Sequence, residues 1–277
     1  MRLLKENQIK PLQGLGQNFL IDGNILEKIV TSADLTEEDK VLEIGPGLGT
    51  VTQFLAEDCS KVIAIEIDER LISILKKHFY EHTNVEIIKG DVLEVDLSEI
   101  FMKAPYGWKV IANLPYYITS PILMKLLMEN ANIDLMVLMV QREVAHRIIA
   151  QPGGKEYGVL SVLVQYYYDA HVIHNVPPTV FFPKPDVDSS VVLLERCKAR
   201  RVYEESERYF ACIVKAAFGK RRKTLLNALS NNSLLPMDKG LILDIFQEAK
   251  IDPKDRAEIL TIDDFVRISC AVAKRFI

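Results

Sequence analysis

The sequence has no long apolar run, no paired cysteines and only a small net charge. Its apolar stretches, of which residues 135–140 are typical, are far shorter than the roughly 18 residues of a membrane span. The N-terminal residues lack the apolar core of a signal peptide. The four cysteines, at positions 59, 197, 212 and 270, form no Cys-x-x-Cys pair, which is typical of reduced thiols. We therefore expect a cytoplasmic protein with no membrane span, no disulfide framework and no metal site.

Basic residues are unevenly distributed along the chain. The net charge is −4 at pH 7, yet residues 198–223 hold nine Lys or Arg against three Glu, a local balance of +6 that leaves −10 for the remainder. Such asymmetry can attract phosphate locally, although a solvated helical face has the same composition. The densest part of this segment is expected to contact the phosphates of a nucleic acid, and it comprises Lys220, Arg221, Arg222 and Lys223.

Strand and helix patterns alternate through the first two thirds of the chain. Nearly continuous apolar strands followed by amphipathic helices predict a mostly parallel sheet with helices on both faces, an α/β fold of Rossmann-like type. The predicted parallel strands are residues 41–44, 62–65, 85–89, 110–112 and 135–140. Later strands are predicted at residues 159–168 and 189–194, with an antiparallel pair at one edge of the sheet as one arrangement.

The pattern becomes helical after about Arg196. Helices are predicted over residues 203–218, 223–230, 239–248 and 262–275, with Thr261 and Asp264 as a cap for the last one. We therefore divide the chain into a first domain, residues 1–197, and a small all-helical domain, residues 198–277, with the basic segment at its start.

A glycine-rich loop follows the first parallel strand. The glycines at 45, 47 and 49 allow the backbone to approach a nucleotide-like cofactor, and the next helix presents free N–H groups. Glu66 lies 21 residues after Gly45, where an acid can accept both ribose hydroxyls of an adenosine, and Glu43 adds a carboxylate near the cofactor's amino-acid end. A dinucleotide oxidoreductase uses the same geometry, but its glycines follow a different spacing.

Candidate cofactor-binding residues end four successive strands. Asp91 ends the third, where its carboxylate can accept a hydrogen bond from an adenine amino group; the alternative is a surface aspartate in a turn. Because ligands bind at the carboxyl ends of parallel strands, Gly45, Glu66, Asp91 and Asn113 are expected to converge on one cofactor site.

The tetrapeptide Asn113-Leu114-Pro115-Tyr116 is suited to methylation of an amino group on a flat base. The Asn113 side-chain oxygen and the Leu114 carbonyl can each accept one hydrogen of an adenine amino group, and this directs the nitrogen lone pair at a sulfonium methyl. Pro115 holds that carbonyl in place, and Tyr116 stacks on the base. An ordinary turn after a strand is the alternative. Together with the glycine loop, the tetrapeptide predicts an S-adenosylmethionine-dependent enzyme that methylates nucleic acid.

Two further segments are candidates for the same site. Phe181, in a stiff aromatic and proline-rich loop, is predicted to be the second wall of a base sandwich opposite Tyr116, although simple loop packing is the alternative. Asn18 and the Leu20 backbone are predicted to close over the methionine part of the cofactor. The alternative is that this segment only leads into the first helix, with Asp22 as its N-cap.

The ordered motifs resemble those of the ribosomal RNA adenine N6-dimethyltransferases over essentially the whole chain. The motifs are, in order, Gln17-Asn18-Phe19-Leu20, the glycine loop with Glu43, Glu66, Gly90-Asp91, the tetrapeptide and Phe181-x-Pro183-x-Pro185-x-Val187-x-Ser189. Residues 217–225 and Arg256-Ala257-Glu258 strengthen the match, because they look like the KsgA branch. The resemblance implies two methylations of each of two adjacent adenosines near the 3′ end of small-subunit ribosomal RNA, within an assembling small subunit. It places cofactor contacts on Asn18, Leu20, Gly45, Glu66, Asp91 and Asn113, and catalytic or stacking roles on Asn113, Leu114, Tyr116 and Phe181.

Three alternatives stay open. The nearest is an Erm-type methyltransferase acting on large-subunit RNA, which shares the N-terminal motifs but generally lacks the basic signature. A second is a largely non-catalytic checkpoint protein of ribosome assembly, and the third is a dehydrogenase. A monomer is expected, since nothing in the sequence demands an oligomer.

Overall fold

A computed structural model of the chain describes residues 9–102, 107–128, 132–197, 204–220, 222–230, 232, 235 and 237–276. Contacts between residues divide the chain into two compact units. The first contains residues up to Ala145 together with Ala170–Arg196, and the second contains His146–Asp169 together with Cys197–Ile277. The predicted division was residues 1–197 and 198–277, whereas this grouping assigns residues 146–169 and Cys197 to the second unit.

The first unit is built on one large sheet and a short two-stranded ribbon. The strands are β1 (Phe19–Leu20), β2 (Lys40–Ile44), β3 (Lys61–Glu66), β4 (Val85–Lys89), β5 (Trp108–Asn113), β6 (Ile133–Gln141), β7 (Tyr168–Val176), β8 (Phe181–Phe182) and β9 (Ser189–Arg196). The large sheet has the order β4-β3-β2-β5-β6-β9-β7, and β1 pairs with β8.

The pairing directions confirm the predicted parallel sheet. Strands β4, β3, β2, β5 and β6 are parallel to their neighbours, and β9 runs antiparallel to β6. The chain leaves β2 toward β3 and β4 on one side and returns to β5 and β6 on the other, so the strand order reverses between β2 and β5. In open parallel sheets the crevice at such a reversal is where ligands bind.

Helices cover this sheet and supply the core. They are α1 (Gly23–Ser32), α2 (Thr50–Asp58), α3 (Glu69–His78), α4 (Leu97–Met102) and α5 (Thr119–Met128), followed by α6 (Arg142–Ile149), whose last four residues belong to the second unit. One cluster joins Ile29 of α1 and Leu55 of α2 to strand residues Val41, Val62 and Ile111, all nearly or fully buried. The Asp22 carboxylate accepts hydrogen bonds from the backbone N–H groups of residues 24 and 25, which confirms it as the cap of α1.

Gly49 joins the glycine loop to α2. Its φ is +77°, a left-handed conformation, and a Cβ there would lie 2.8 Å from Phe79 and 2.9 Å from Leu75. Only glycine fits without strain, because both the backbone angle and the packing of α3 and the residue after it exclude a side chain. This position fixes where α2 begins and therefore where its N-terminal N–H groups lie.

The second unit is helical. It contains α7 (Val159–Tyr167), α8 (Glu204–Phe218), α9 (Leu225–Leu229), α10 (Lys239–Ala249) and α11 (Ile262–Phe276). The predicted cap of α11 is present: the Thr261 N–H donates to the Asp264 carboxylate at 2.7 Å, and the Asp264 N–H donates to the Thr261 hydroxyl at 3.2 Å. The helix predicted over residues 223–230 is shorter in the structure, where α9 begins at Leu225 and ends at Leu229.

The prediction of a strand at residues 159–168 is wrong, because residues Val159–Tyr167 form α7 and the strand β7 begins only at Tyr168. The helix is buried around most of its circumference, including consecutive residues 160–164. A helix without a polar face shows no 3.6-residue period, and a short apolar run then looks like a buried strand. The strand predicted at 189–194 is confirmed as β9.

Candidate active site

One cavity of the first unit lies at the carboxyl ends of the parallel strands. It is lined by the ends of β2, β3 and β5, by Gly90 and Asp91 after β4, and by the segment that precedes α1. All the predicted cofactor residues line it, namely Asn18, Leu20, Gly45, Gly47, Glu66, Asp91 and Asn113. Leu114 and Tyr116 line the same cavity. The structure therefore brings together residues that are spread over about a hundred positions of the sequence.

Glu66 is held in place by backbone groups. Its Oε1 accepts the N–H groups of Ile67 and Asp68, each at 2.9 Å, and its Oε2 accepts the Gly47 N–H at 3.2 Å. Burial raises the pKa of Glu66, while these backbone donors act in the opposite direction. A fixed acidic side chain at this point can accept the ribose hydroxyls of an adenosine, as the sequence analysis predicts.

Glu43 differs from its predicted ionisation state. It is 3% exposed at the end of β2, its Oε2 accepts the Thr52 hydroxyl at 2.7 Å, and it lines the cavity. The pKa of Glu43 is raised to about 8, mainly by burial; the Thr52 hydrogen bond opposes this rise and the nearby Glu66 adds to it. Burial therefore favours the protonated form of Glu43, whereas we expected a carboxylate. Thr52 was missed because nothing in the sequence relates a helix threonine to a strand glutamate.

Asp91 shapes the turn after β4. Its Oδ1 accepts the Leu93 N–H at 2.8 Å, and its backbone carbonyl accepts the N–H groups of Glu94 and Val95, both at 2.9 Å. These bonds fix the direction of the carboxyl group at the cavity wall. Asp91 thus lies in a turn, which was the alternative to a cofactor contact. It also lines the cavity together with the ends of the other strands.

The segment before α1 is fastened against the cavity. The Gln17 amide donates to the Asp68 carboxylate at 2.9 Å, and Asp68 also accepts the Arg70 guanidinium through two bonds of 2.9 and 2.6 Å. The hydrogen bond from Arg70 is the main cause that lowers the pKa of Asp68 to about 2. Sequence reasoning missed Gln17 and Asp68 as a pair, since 51 residues separate them.

The tetrapeptide at the end of β5 is tied to that segment. The Asn113 side-chain Nδ2 donates to the Asn18 backbone carbonyl at 3.1 Å, so the two predicted cofactor residues are in direct contact. The backbone N–H of Leu114 donates to the Met139 carbonyl at 3.1 Å, and the Pro115 carbonyl accepts the Thr119 hydroxyl at 3.0 Å. Because the Asn113 amide nitrogen is used by Asn18, the amide oxygen is directed away from that carbonyl.

Tyr116 is anchored by its hydroxyl group, which lies 2.6 Å from the hydroxyl of Ser189 at the start of β9. Burial raises the pKa of Tyr116, so its phenol is neutral near pH 7. The ring is therefore available for stacking and does not act as a phenolate base.

The structure does not bring Phe181 to the cavity. Phe181 is 3% exposed and packs in the apolar cluster that contains Leu20, its partner in the pairing of β8 with β1. Phe182, on the opposite face of β8, is 37% exposed. In this structure Phe181 therefore packs its loop against that cluster, which was the alternative to a role in base binding. Stacking of Phe181 on the target base stays a prediction.

The basic cluster lies in the second unit, between α8 and α9. Lys220, Arg222 and Lys223 are exposed there, and the Lys223 N–H donates to the Lys220 carbonyl at 2.9 Å in a turn. Arg221 lies outside the described residues. Within the described part of the chain, no group of three or more His, Cys, Asp or Glu could hold a metal ion, and no helix is long and apolar enough to cross a membrane.

The residues of the cavity fit the predicted cofactor. Acidic side chains end β2 and β3, Asp91 follows β4, and the glycine loop brings backbone N–H groups to the same wall. Acceptors for ribose and adenine thus stand beside the amide of Asn113, which is where a methyl donor and a base would have to meet.

Comparisons with known proteins agree with this geometry. Residues 10–274 match the family model described as "Ribosomal RNA adenine dimethylase". The chain is 49% identical over 265 residues to a "Ribosomal RNA small subunit methyltransferase A" of Alkaliphilus metalliredigens, covering 95% of this chain and 92% of that protein. It is 45% identical to a protein of the same description from Halothermothrix orenii, covering 96% of this chain and 90% of that protein. Among solved structures, a dimethyladenosine transferase from Plasmodium falciparum superposes with a TM-score of 0.79 at 28% identity, covering 94% and 98% of the two chains.

Proposed function

The chain belongs to the ribosomal RNA adenine dimethylase family. On this basis we propose that it dimethylates N6 of two adjacent adenosines near the 3′ end of small-subunit ribosomal RNA. Family membership confirms the predicted resemblance, the methyltransferase class and S-adenosylmethionine as cofactor. The choice of the small subunit is supported by the descriptions of relatives that are 45–49% identical to this chain.

One observation carries the proposed chemistry: the tetrapeptide at the end of β5 lines the same cavity as Glu66 and Asp91. When bound, S-adenosylmethionine supplies a methyl group on a positively charged sulfur. Glu66 would bind the ribose hydroxyls and Asp91 the adenine amino group of the cofactor. Asn18 and the Leu20 backbone would cover its methionine part, which the hydrogen bond from Asn113 to the Asn18 carbonyl supports.

The target adenine would be bound by Asn113, Leu114 and Tyr116. The Asn113 Oδ1 and the Leu114 carbonyl would each accept one hydrogen of the exocyclic amino group, which favours a pyramidal nitrogen with its lone pair directed at the methyl group. Tyr116 would stack on the base that has left its helix. Positioning and charge complementarity supply the catalysis, since the methylated amino group is acidic and loses its proton readily.

The second unit would dock on an assembling small subunit. The exposed residues Lys220, Arg222 and Lys223, together with Arg221, would contact RNA phosphates without reading sequence. We propose that the catalytic domain ends near residue 197, that the protein acts in the cytoplasm and that it works as a monomer. A ribosomal RNA partner and the absence of cysteine pairs support the cytoplasmic assignment.

The test is to map methylated adenosines by mass spectrometry after incubation with immature small subunits and S-adenosylmethionine. We expect dimethylation of two neighbouring adenosines by the wild type and a loss of about 100-fold or more in Asn113→Ala. Asn24→Ala, at an exposed asparagine of α1 outside the cavity lining, is the matched control and should behave as wild type.

Each alternative has its own outcome. Methylation of naked large-subunit RNA in place of small subunits would show an Erm-type enzyme. Binding to small subunits without any transfer would show an assembly checkpoint. Family membership already contradicts the dehydrogenase alternative. Full dimethylation by a folded Asn113→Ala variant would contradict the role of the amide.

A further inference from the structure

The hydrogen bond between Tyr116 and Ser189 crosses the end of the sheet. The two residues are 73 positions apart, and the strand order places β6 between β5 and β9. Leu114 bonds to Met139 of β6, and Gln141 of β6 is opposite Ser189 of β9. The connection after β5 therefore reaches over the carboxyl end of β6 to the first residue of β9.

Ser189 has no exposed surface, which makes its hydroxyl group dependent on a protein partner. The Tyr116 hydroxyl, at 2.6 Å, is such a partner. Tyr116 itself is only partly buried and lines the cavity. One end of the tyrosine is thus fixed in the buried sheet while the ring borders the space where the base must bind.

The tether restricts how the ring can turn. A tyrosine ring is positioned by two side-chain torsions, and fixing the distal oxygen at a buried point removes most of the swing that these torsions allow. A ring held in one plane loses less conformational freedom when a base stacks on it. The entropic cost of binding the base is therefore smaller.

We propose that Ser189 is a positioning residue for the target adenosine, holding the Tyr116 ring in the orientation that stacks on the flipped base. This inference rests on the proposed role of Tyr116. It assigns to Ser189 no contact with the base or the cofactor, and its effect passes entirely through the tyrosine hydroxyl.

The chain offers a matched control in the next residue of the strand. Ser190 is equally buried, and its hydroxyl donates to the Asn175 side-chain oxygen at 2.9 Å, away from Tyr116. The experiment compares Ser189→Ala, Tyr116→Phe, the double variant and Ser190→Ala. For each, kcat/KM is measured with immature small subunits, S-adenosylmethionine affinity by titration calorimetry, and folding by thermal melting.

We expect Ser189→Ala and Tyr116→Phe each to lower kcat/KM about five- to tenfold. The double variant should be no worse than either single variant, because both remove the same hydrogen bond. Cofactor affinity should be unchanged in all four, and Ser190→Ala should retain wild-type kcat/KM. If Ser189→Ala does not fold, Tyr116→Phe removes the same hydrogen bond at the partly buried partner. The kcat/KM of Tyr116→Phe then tests whether that bond is needed.

Additive losses in the double variant would overturn the inference, since Ser189 would then act independently of Tyr116. An unchanged kcat/KM in Ser189→Ala, or an equal loss in Ser190→Ala, would overturn it as well while the wild type still methylates adenosine. A wild type that transfers no methyl group to small subunits would instead contradict the proposed function, and the inference with it.

Discussion

The Gln17 side-chain amide donates a hydrogen bond of 2.9 Å to the carboxylate of Asp68. The first residue belongs to the segment before α1 and the second caps α3, so the bond fastens that segment across the cofactor cavity. Arg70 strengthens the anchor, because it binds the same carboxylate and also the Lys10 carbonyl at 3.2 Å. The cavity wall formed by Asn18 and Leu20 is therefore held by hydrogen bonds within the protein.

Gln17→Leu should weaken S-adenosylmethionine binding about five- to tenfold with little change in melting temperature. Without this hydrogen bond the segment before α1 would become ordered only when the cofactor binds, and the cost of that ordering would lower the cofactor affinity. Titration calorimetry measures the affinity. Gln53→Leu is the control, since that amide bonds to the exposed Glu57 outside the cavity. Equal affinity of Gln17→Leu and wild type would show that the bond does not order the site.

Glu43→Gln should change how stability depends on pH. The pKa of Glu43 is about 8 in the folded protein and near 4.5 when unfolded, so from pH 4.5 to about 8 the unfolded chain is ionised while the folded one retains its proton. The wild type therefore loses stability relative to the variant as pH rises through this window, by on the order of a few kcal/mol in total. Glutamine keeps an acceptor for Thr52. Urea unfolding of both proteins at several pH values measures the difference, and parallel curves would contradict it.

Gly49→Ala should destabilise the first unit by about 2 kcal/mol or more, because the alanine would have both a left-handed backbone and a Cβ that overlaps Phe79. Gly107→Ala separates the two causes, since Gly107 has φ +80° with no heavy atom within 4 Å of a Cβ. That control should cost only about 1 kcal/mol. Urea midpoints measure both, and equal losses would mean that the overlap is relieved without cost.

Replacing Lys220, Arg222 and Lys223 with alanine should weaken RNA binding and lower its salt dependence. Each lost phosphate contact reduces the slope of log affinity against log salt by roughly 0.7 to 0.9. Cofactor affinity should not change. Lys76→Ala and Lys77→Ala, exposed on α3, serve as controls that remove positive charge elsewhere on the surface. A variant with an unaltered salt slope would place the phosphate contacts elsewhere.

Local signals in the sequence were sufficient for much of the site. The apolar strands and the polar residues that end them predicted both the parallel sheet and the convergence of Glu66, Asp91 and Asn113, since strand direction alone places these ends together. The caps at Asp22 and Thr261 could likewise be predicted, because each depends on residues within three positions.

Features without a local signal could not be predicted. The helix at residues 159–167 has no polar face and therefore no period. Whether Phe181 or Phe182 is buried depends on the register with which β8 pairs with β1, because neighbouring residues of a strand point to opposite faces.

The family, the parallel strands and the motifs that meet at the cavity could be read from the sequence alone, because they depend on residue type and spacing along the chain. The folded structure was needed to show that burial raises the pKa of Glu43, that Gln17 reaches Asp68 and that Ser189 anchors Tyr116. Burial and contacts between distant residues set these properties, and neither is encoded in any short segment of the sequence.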